Sequence, residues 1–144
     1  MKLHIITVGK PKLHYAQDGW QEYLKRLEHY HTVRVTHLAD KWAYDSQIIL
    51  KTAAKTHIVT LAIDGIQLSS EGLADFLKKQ ALESREVSFI IGGPKGLPQE
   101  VIDTADFRWS LSKLTFPHDL AMVVLLETLY RSSTIVEGHP YHKA

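Results

Sequence analysis

Two hydrophobic periods alternate along this chain: short continuous apolar runs, and longer stretches in which apolar residues recur every three or four positions. Leu3 to Val8 is a run of the first kind and predicts a buried strand, ended by Gly9 and by Pro11 in the loop that follows. Trp20, Tyr23, Leu24 and Leu27 fall at helical spacing, so about Tyr15 to His29 predicts an amphipathic helix. Thr32 to Leu38 alternates around Val33 and Val35 and predicts a strand with one half-exposed face. Asp40 to Tyr44 carries no period, whereas Ser46 to Lys55 predicts a short helix through Ile48, Ile49 and Leu50. His57 to Ile63 predicts a second apolar strand, closed by the turn signal Asp64-Gly65. Ser69 and Ser70 offer caps to a helix marked by Leu73, Phe76 and Leu77. Val87 to Ile91 predicts a third buried strand, and Pro98 sits in the first turn of a short helix running to about Ala105. Phe107 to Leu111 predicts a further strand, and Asp119 to about Glu137 the last helix.

Strands that are apolar throughout need cover on both faces. Their alternation with helices therefore predicts an α/β fold with a mainly parallel sheet flanked by helices. There is no internal repeat, low-complexity stretch or Pro/Gly/Ser-rich linker, so residues 1–144 are expected to form a single domain.

Composition narrows the function classes. The hydrophobic and charged fractions, 44% and 23%, are those of an ordinary globular protein and exclude general disorder. Cysteine is absent, which excludes disulfides and thiol catalysis. Met1 to Val8 is too short for a signal peptide, and no apolar run approaches a bilayer-spanning length. The expectation is a soluble cytoplasmic protein with no membrane partner. A formal charge of +1, with nine histidines of which some are expected to charge near neutral pH, neither supports nor excludes RNA.

The candidate chemistry lies where strands end. In open α/β sheets ligands bind beyond the carboxyl ends of strands. Three such ends here carry small or polar residues: Leu61 to Gly65, Gly92 to Leu97, and Leu111 to His118. Gly92 and Gly93 let a ligand approach the backbone closely, although a glycine cluster is equally a plain tight turn. Gly92-Gly93-Pro94-Lys95-Gly96 is not a P-loop, because its lysine precedes the last glycine and no Ser or Thr follows. No G-x-G-x-x-G follows the first strand and no G-x-S-x-G accompanies His118-Asp119, which argues against a dinucleotide enzyme and a serine hydrolase. His139-Pro140-Tyr141-His142 lacks a metalloprotease frame, so no metal is expected. That tail reads instead as Tyr141 stacking on a base with His142 and Lys143 meeting phosphate, against the alternative of a frayed terminus. The last helix, Leu120 to Arg131, is apolar around most of its surface and suits a core helix that also meets a partner subunit. Glu127 and Arg131, one turn apart, predict an ordinary ion pair, and Trp20 and Trp109 core or interface aromatics.

Several ordered motifs together carry a more specific signal: Val8-Gly9-Lys10, Glu22-Tyr23-Leu24-Lys25-Arg26, Val59-Thr60-Leu61, Ile90-Ile91-Gly92-Gly93-Pro94-Lys95-Gly96-Leu97, Leu111-Ser112-Lys113-Leu114-Thr115-Phe116-Pro117-His118, Leu129-Tyr130-Arg131 and His139-Pro140-Tyr141-His142-Lys143. In these, over nearly its whole length, the chain resembles the ribosomal RNA large subunit methyltransferase H family of the SPOUT methyltransferases. The resemblance implies a SPOUT-type α/β knot with a carboxyl-terminal trefoil knot, an exception to the usual rule against knots. It implies a homodimer with S-adenosylmethionine bound at the knot beside the subunit interface, held at Leu61, Gly92 and the run Leu111, Ser112, Lys113, Leu114, Thr115 and Phe116. It implies N3-methylation of a pseudouridine in helix 69 of 23S ribosomal RNA, on assembled ribosomes, with no DNA expected. His118, Tyr141 and His142 are then the candidates for catalysis, through substrate positioning or proton handling, and Arg131 and Lys143 for phosphate contacts. His118 reads equally as a structural residue at a helix start. Two positions depart from the family pattern. Met122 stands where relatives usually carry arginine, which implies a lost RNA or interface contact, and the stretch between Leu38 and His57 is short. Met122 also keeps open a second reading, a non-catalytic RNA- or ribosome-binding module on the same fold.

Overall fold

A computed structural model describes residues 1–143. Five strands, β1 (Lys2–Val8), β2 (Thr32–Leu38), β3 (His57–Gln67), β4 (Val87–Ile91) and β5 (Phe107–Ser110), form one sheet in the order β2-β1-β4-β3-β5. Every pairing is parallel. The helices are α1 (His14–Leu27), α2 (Ser46–Thr52), α3 (Ser70–Leu82), α4 (Gln99–Thr104) and α5 (His118–Val136), with a 3₁₀ turn at Asp40–Trp42 in the stretch that lacked a period.

Alternation along the central strands divides the interior in two. Leu3 and Ile5 of β1 and Val87, Phe89 and Ile91 of β4 join Trp20 of α1, Leu73 and Leu77 of α3 and Met122, Leu125, Leu126 and Leu129 of α5 in the larger core. Ile6 and Ile90 face the other way, onto Ile49 and Ala53 beside α2 and Val101 of α4. This double cover is why β4 is buried at every position, Ser88 included, as its mostly apolar run predicts. β2, at one edge, keeps its even-numbered start exposed at Thr32 and Arg34. Ser69 caps α3 by accepting the Gly72 amide at 2.9 Å, and Asp45 caps α2 by accepting the Ile48 amide at 3.0 Å.

Three sequence expectations are corrected. Asp64-Gly65 does not end β3. The strand runs on to Gln67, and both Leu61 and Ile66 pair with Trp109, so the residues between them bulge out of the ladder. Gly65 is needed there because a Cβ would lie 2.8 Å from the Arg108 carbonyl and from the Trp109 carbonyl carbon. Pro98 is not inside the first turn of α4 but immediately before it, with extended ψ of 144°. β5 ends at Ser110, which releases Leu111 into the loop that follows.

His31 bonds Ser133 Oγ through Nε2 at 2.7 Å, and that hydroxyl donates to the Leu129 carbonyl, so the ring is held neutral with Nε2–H as donor. Burial, aided by the nearby amino terminus, lowers its pKa to about 4. Burial likewise lowers His4, His37 and His57. A depressed histidine is neutral in both states above about 6.5, and only the unfolded chain binds the proton between about 6.5 and 4. Stability is therefore complete above the unfolded value and falls as pH drops through this window, by roughly 2–3 kcal/mol for His31. Denaturant titrations from pH 7.5 to 4 should show a shallower acid loss for His31→Gln than for the native chain. Parallel curves would remove His31 as the cause.

Candidate functional site

The carboxyl ends of β3, β4 and β5 and the start of α5 enclose a cavity of about 320 Å³, within the range of small-ligand sites. Its walls include Leu61 with Ala62 and Ile63 of the bulge, Ile91 to Pro94 and Gly96, Ser110 to Ser112, and Leu114 to His118. Of the residues expected at a cofactor, Leu61, Gly92, Leu111, Ser112, Leu114, Thr115 and Phe116 line it together, and Lys113 lies in the same loop outside the lining.

Glycine shapes one wall. After Ile91 the chain folds back so tightly that the Gly96 amide donates to the Gly93 carbonyl at 2.9 Å, with Gly96 at φ +82°. Gly92 is where the two limbs touch: a Cβ there would meet the Gly96 carbonyl carbon at 2.7 Å and the Leu97 nitrogen at 2.9 Å. The opposite wall is held by serines. Ser110 Oγ donates to the Ser112 carbonyl at 2.9 Å, and Ser112 Oγ accepts the Leu114 amide at 3.0 Å. Residues 111–117 belong to no helix or strand, so most of their amides and carbonyls are not consumed by a ladder. Among the described residues no Asp, Glu, Lys or Arg lines the cavity, and His118 is its one titratable side chain. The site is therefore built to recognise a ligand through backbone groups and apolar contact, and it offers no cradle of cations for a polyphosphate.

His118 is the first residue of α5, with Nε2 buried and without a hydrogen-bond partner. A Cβ on Gly9 would lie 3.9 Å from the His118 ring and 2.8 Å from Asp40 Oδ1, so the β1–α1 loop is pressed against this histidine. The next residue fixes that loop. Asp119, 8% exposed, accepts the backbone amides of Lys12 and Leu13 at 2.8 and 2.7 Å.

The other expected residues gather elsewhere, along α5. Arg131 donates to Glu127 Oε1 at 2.7 and 3.0 Å, lies 4.8 Å over the Tyr141 ring and reaches His142 Nδ1 at 3.2 Å. The Tyr141 hydroxyl donates to the same Glu127 oxygen at 3.1 Å, and its ring meets Tyr130 edge-on at 4.7 Å. His142 Nε2 lies 3.0 Å from Glu71 Oε1 on α3. Burial first, then the Tyr23 hydroxyl and the Glu127 carboxylate, raise the Tyr141 pKa, so it remains a phenol at neutral pH. Lys143 is exposed. The tail is thus docked on its own helix, and Tyr141, His142, Arg131 and Lys143 are not in the cavity wall. The pair Glu127–Arg131 is more than an ordinary surface contact, because both side chains are largely covered and share Tyr141.

Met122 has no exposed surface and packs in the larger core, filling space between α5 and the sheet. Pattern reading missed the role of Asp119 as an anchor for the β1–α1 loop. Nothing in the local sequence separates a helix-start aspartate from one whose partners lie 106 and 107 positions away. Trp20 and Trp109 are core residues. Among the described residues no group of three or more His, Cys, Asp or Glu is placed to hold a metal, and no helix is long and apolar enough to cross a membrane.

A family model described as a predicted SPOUT methyltransferase matches residues 1–142. The chain is 49% identical over 145 residues to a Deinococcus radiodurans protein named ribosomal RNA large subunit methyltransferase H, covering 99% of each. Proteins of the same name from Pseudomonas fluorescens and Bacillus pumilus are each 39% identical, across 99% of this chain and all of theirs. Among solved structures, a probable methylase family protein from Haemophilus influenzae superposes on 99% of this chain and 70% of its own at a TM-score of 0.57 and 9% identity. TrmJ from Z. mobilis superposes on the whole chain and 72% of its own, with a TM-score of 0.53 and 12% identity. At such identities these two likenesses speak for the fold.

Proposed function

This chain belongs to the ribosomal RNA large subunit methyltransferase H family of the SPOUT methyltransferases, and on that premise we propose that it methylates large-subunit ribosomal RNA. The finer reading is transfer from S-adenosylmethionine to N3 of a pseudouridine in helix 69 of 23S ribosomal RNA, on assembled ribosomes in the cytoplasm. One observation carries it: an uncharged cavity, walled by backbone-rich loops, at the carboxyl ends of β3, β4 and β5.

The residues present fit such a cofactor. A nucleoside and amino-acid conjugate with no phosphate suits walls without lysine or arginine, and Gly92, Gly93 and residues 111–116 bring main-chain donors and acceptors within reach of adenine and ribose edges. When bound, S-adenosylmethionine supplies an activated sulfonium methyl. The chain's own work is to align the acceptor, exclude water and remove the N3 proton. Leu61, Leu111, Leu114 and Phe116 exclude water. His118, a half-buried residue of the cavity lining whose Nε2 is buried and without a partner, is assigned to hold the uracil-like ring or accept its proton. Tyr141, kept as a phenol, is assigned to stacking and positioning, with His142 beside it. Lys143 and Arg131 are assigned to phosphate, Lys143 as the exposed charge. We assign the dimer interface to the cavity mouth, where Leu114 and Ile63 of the lining expose apolar surface at 71% and 63%. We assign the family's carboxyl-terminal trefoil knot to residues 92–117 and α5.

The test is incubation with isotopically labelled S-adenosylmethionine and assembled ribosomes from cells lacking a related enzyme, followed by digestion and mass spectrometry of the RNA. A new methyl group on a helix 69 pseudouridine is the expected result. Cofactor binding without label in 23S ribosomal RNA would overturn the substrate assignment. In the same assay His118→Gln should lower the maximal rate about 10²-fold while cofactor affinity holds. An unchanged rate would take His118 out of the reaction.

A further inference from the structure

Residues 39–45 border the cavity on its β1–β2 side, and nothing in methyl transfer itself uses them. Their place is fixed by two contacts. A Cβ on Gly93, in the cavity wall, would lie 4.0 Å from Ala43 Cβ, and Asp40 abuts Gly9 beside His118. The segment reads Ala-Asp-Lys-Trp-Ala-Tyr-Asp. Asp45 accepts the Ile48 amide, and the exposed Asp40 faces Lys12 Nζ at 3.8 Å in a surface pair. Beside that one exposed carboxylate, what it offers outward is aromatic and cationic. Tyr44 is 61% exposed, and Lys41 Nζ lies 4.9 Å over the half-buried Trp42 ring. Lys10 and Lys12 on the β1–α1 loop and Lys95 on the Gly92–Leu97 loop are exposed on the neighbouring loops.

We propose that Lys41, Trp42 and Tyr44 form a stacking platform for an unpaired RNA nucleotide next to the one in the cavity, with Lys10, Lys12 and Lys95 meeting the adjoining phosphates. The proposal rests on the RNA-methylating reading and adds to it where the RNA lies. The mixture of residues decides between partners. Exposed aromatics interleaved with lysines are the make-up of single-stranded nucleic-acid sites, where every base has a face to stack and every nucleotide a charge to neutralise. Protein interfaces are depleted in lysine, so a second copy of the chain suits this surface poorly. A loop nucleotide also has to be splayed out before its base edge can enter a cavity at strand ends, and a neighbouring platform holds the strand in that shape.

The test compares Tyr44→Ala and Lys41→Gln with the native full-length protein on assembled ribosomes. Each should raise the half-saturating ribosome concentration about fivefold, leaving the maximal rate, S-adenosylmethionine affinity and sedimentation coefficient unchanged. An unchanged half-saturating concentration would overturn the platform, and so would a changed sedimentation coefficient, which would mark the surface as a contact between copies. If the native protein transfers no methyl group, the reading above fails on its own. The platform is then judged by co-sedimentation with ribosomes, where equal retention of native and Tyr44→Ala protein would overturn it.

Discussion

Gly92→Ala is expected to weaken S-adenosylmethionine binding about 100-fold and to depress methyl transfer in step, while the protein stays folded. The added methyl has no space: the atoms it would strike, at 2.7 to 2.9 Å, are the main chain of Gly96 and Leu97, and no flexible side chain can swing aside to relieve them. Gly92 itself is buried, so the carbon cannot escape to solvent. The two limbs of the loop must therefore part by several tenths of an ångström, and one of those limbs is a cavity wall. Displacement of that order at a site that recognises its ligand through backbone groups costs far more in binding than in stability. Calorimetric titration of cofactor into the variant, with circular dichroism as the check on folding, reads the effect. A folded variant that binds within threefold of the native protein would show that the 92–97 loop does not carry the cofactor.

Asp119→Ala should be the most damaging single truncation for stability near the site, costing about 3 kcal/mol and roughly 6–12 °C in Tm. One carboxylate oxygen, almost wholly buried, holds the amides of Lys12 and Leu13, and these are the entry to α1. Alanine leaves both donors without a partner, and hydrogen bonds to a charged group contribute more than neutral ones. Asp119→Asn should recover part of the loss, since an amide oxygen still accepts. Thermal unfolding of both variants decides the matter. A loss below about 1 kcal/mol for alanine would mean that water or another acceptor takes over the two amides.

How much of this was legible beforehand follows the range of the forces involved. β4 and β1 were readable because short, mostly apolar runs report double cover directly, and α1, α3 and α5 because their apolar spacing is local. Leu61, Gly92 and the loop from Leu111 were readable as one site because parallel sheets put successive strand ends on one edge. The bulge before Ile66 was not: Asp64-Gly65 is a turn signal, and only the approach of the β5 backbone to Gly65 shows why glycine is needed without a chain reversal. The burial of Met122 was not readable from spacing, because its helix is apolar nearly all round and no period marks the side that faces the sheet. The docking of Tyr141 and His142 on Glu127, Arg131 and Glu71 depends on three separate elements meeting, and no pattern within any one of them announces it.

The strand order has a consequence for how this protein is made. β4 sits between β1 and β3, so β1 can pair with β2 early, but its other edge stays open until residues 87–91 have been synthesised. That edge belongs to a strand buried from Leu3 to Val8, an inviting template for any other extended chain in the crowded space beside a ribosome. The final cover, α5 across α1 and α3, arrives only with residues 118–136. Closure of the interior therefore waits on a helix made long after β1, and a ribosome that stalls past Leu38 but short of Val87 releases a fragment with one raw edge and every reason to aggregate.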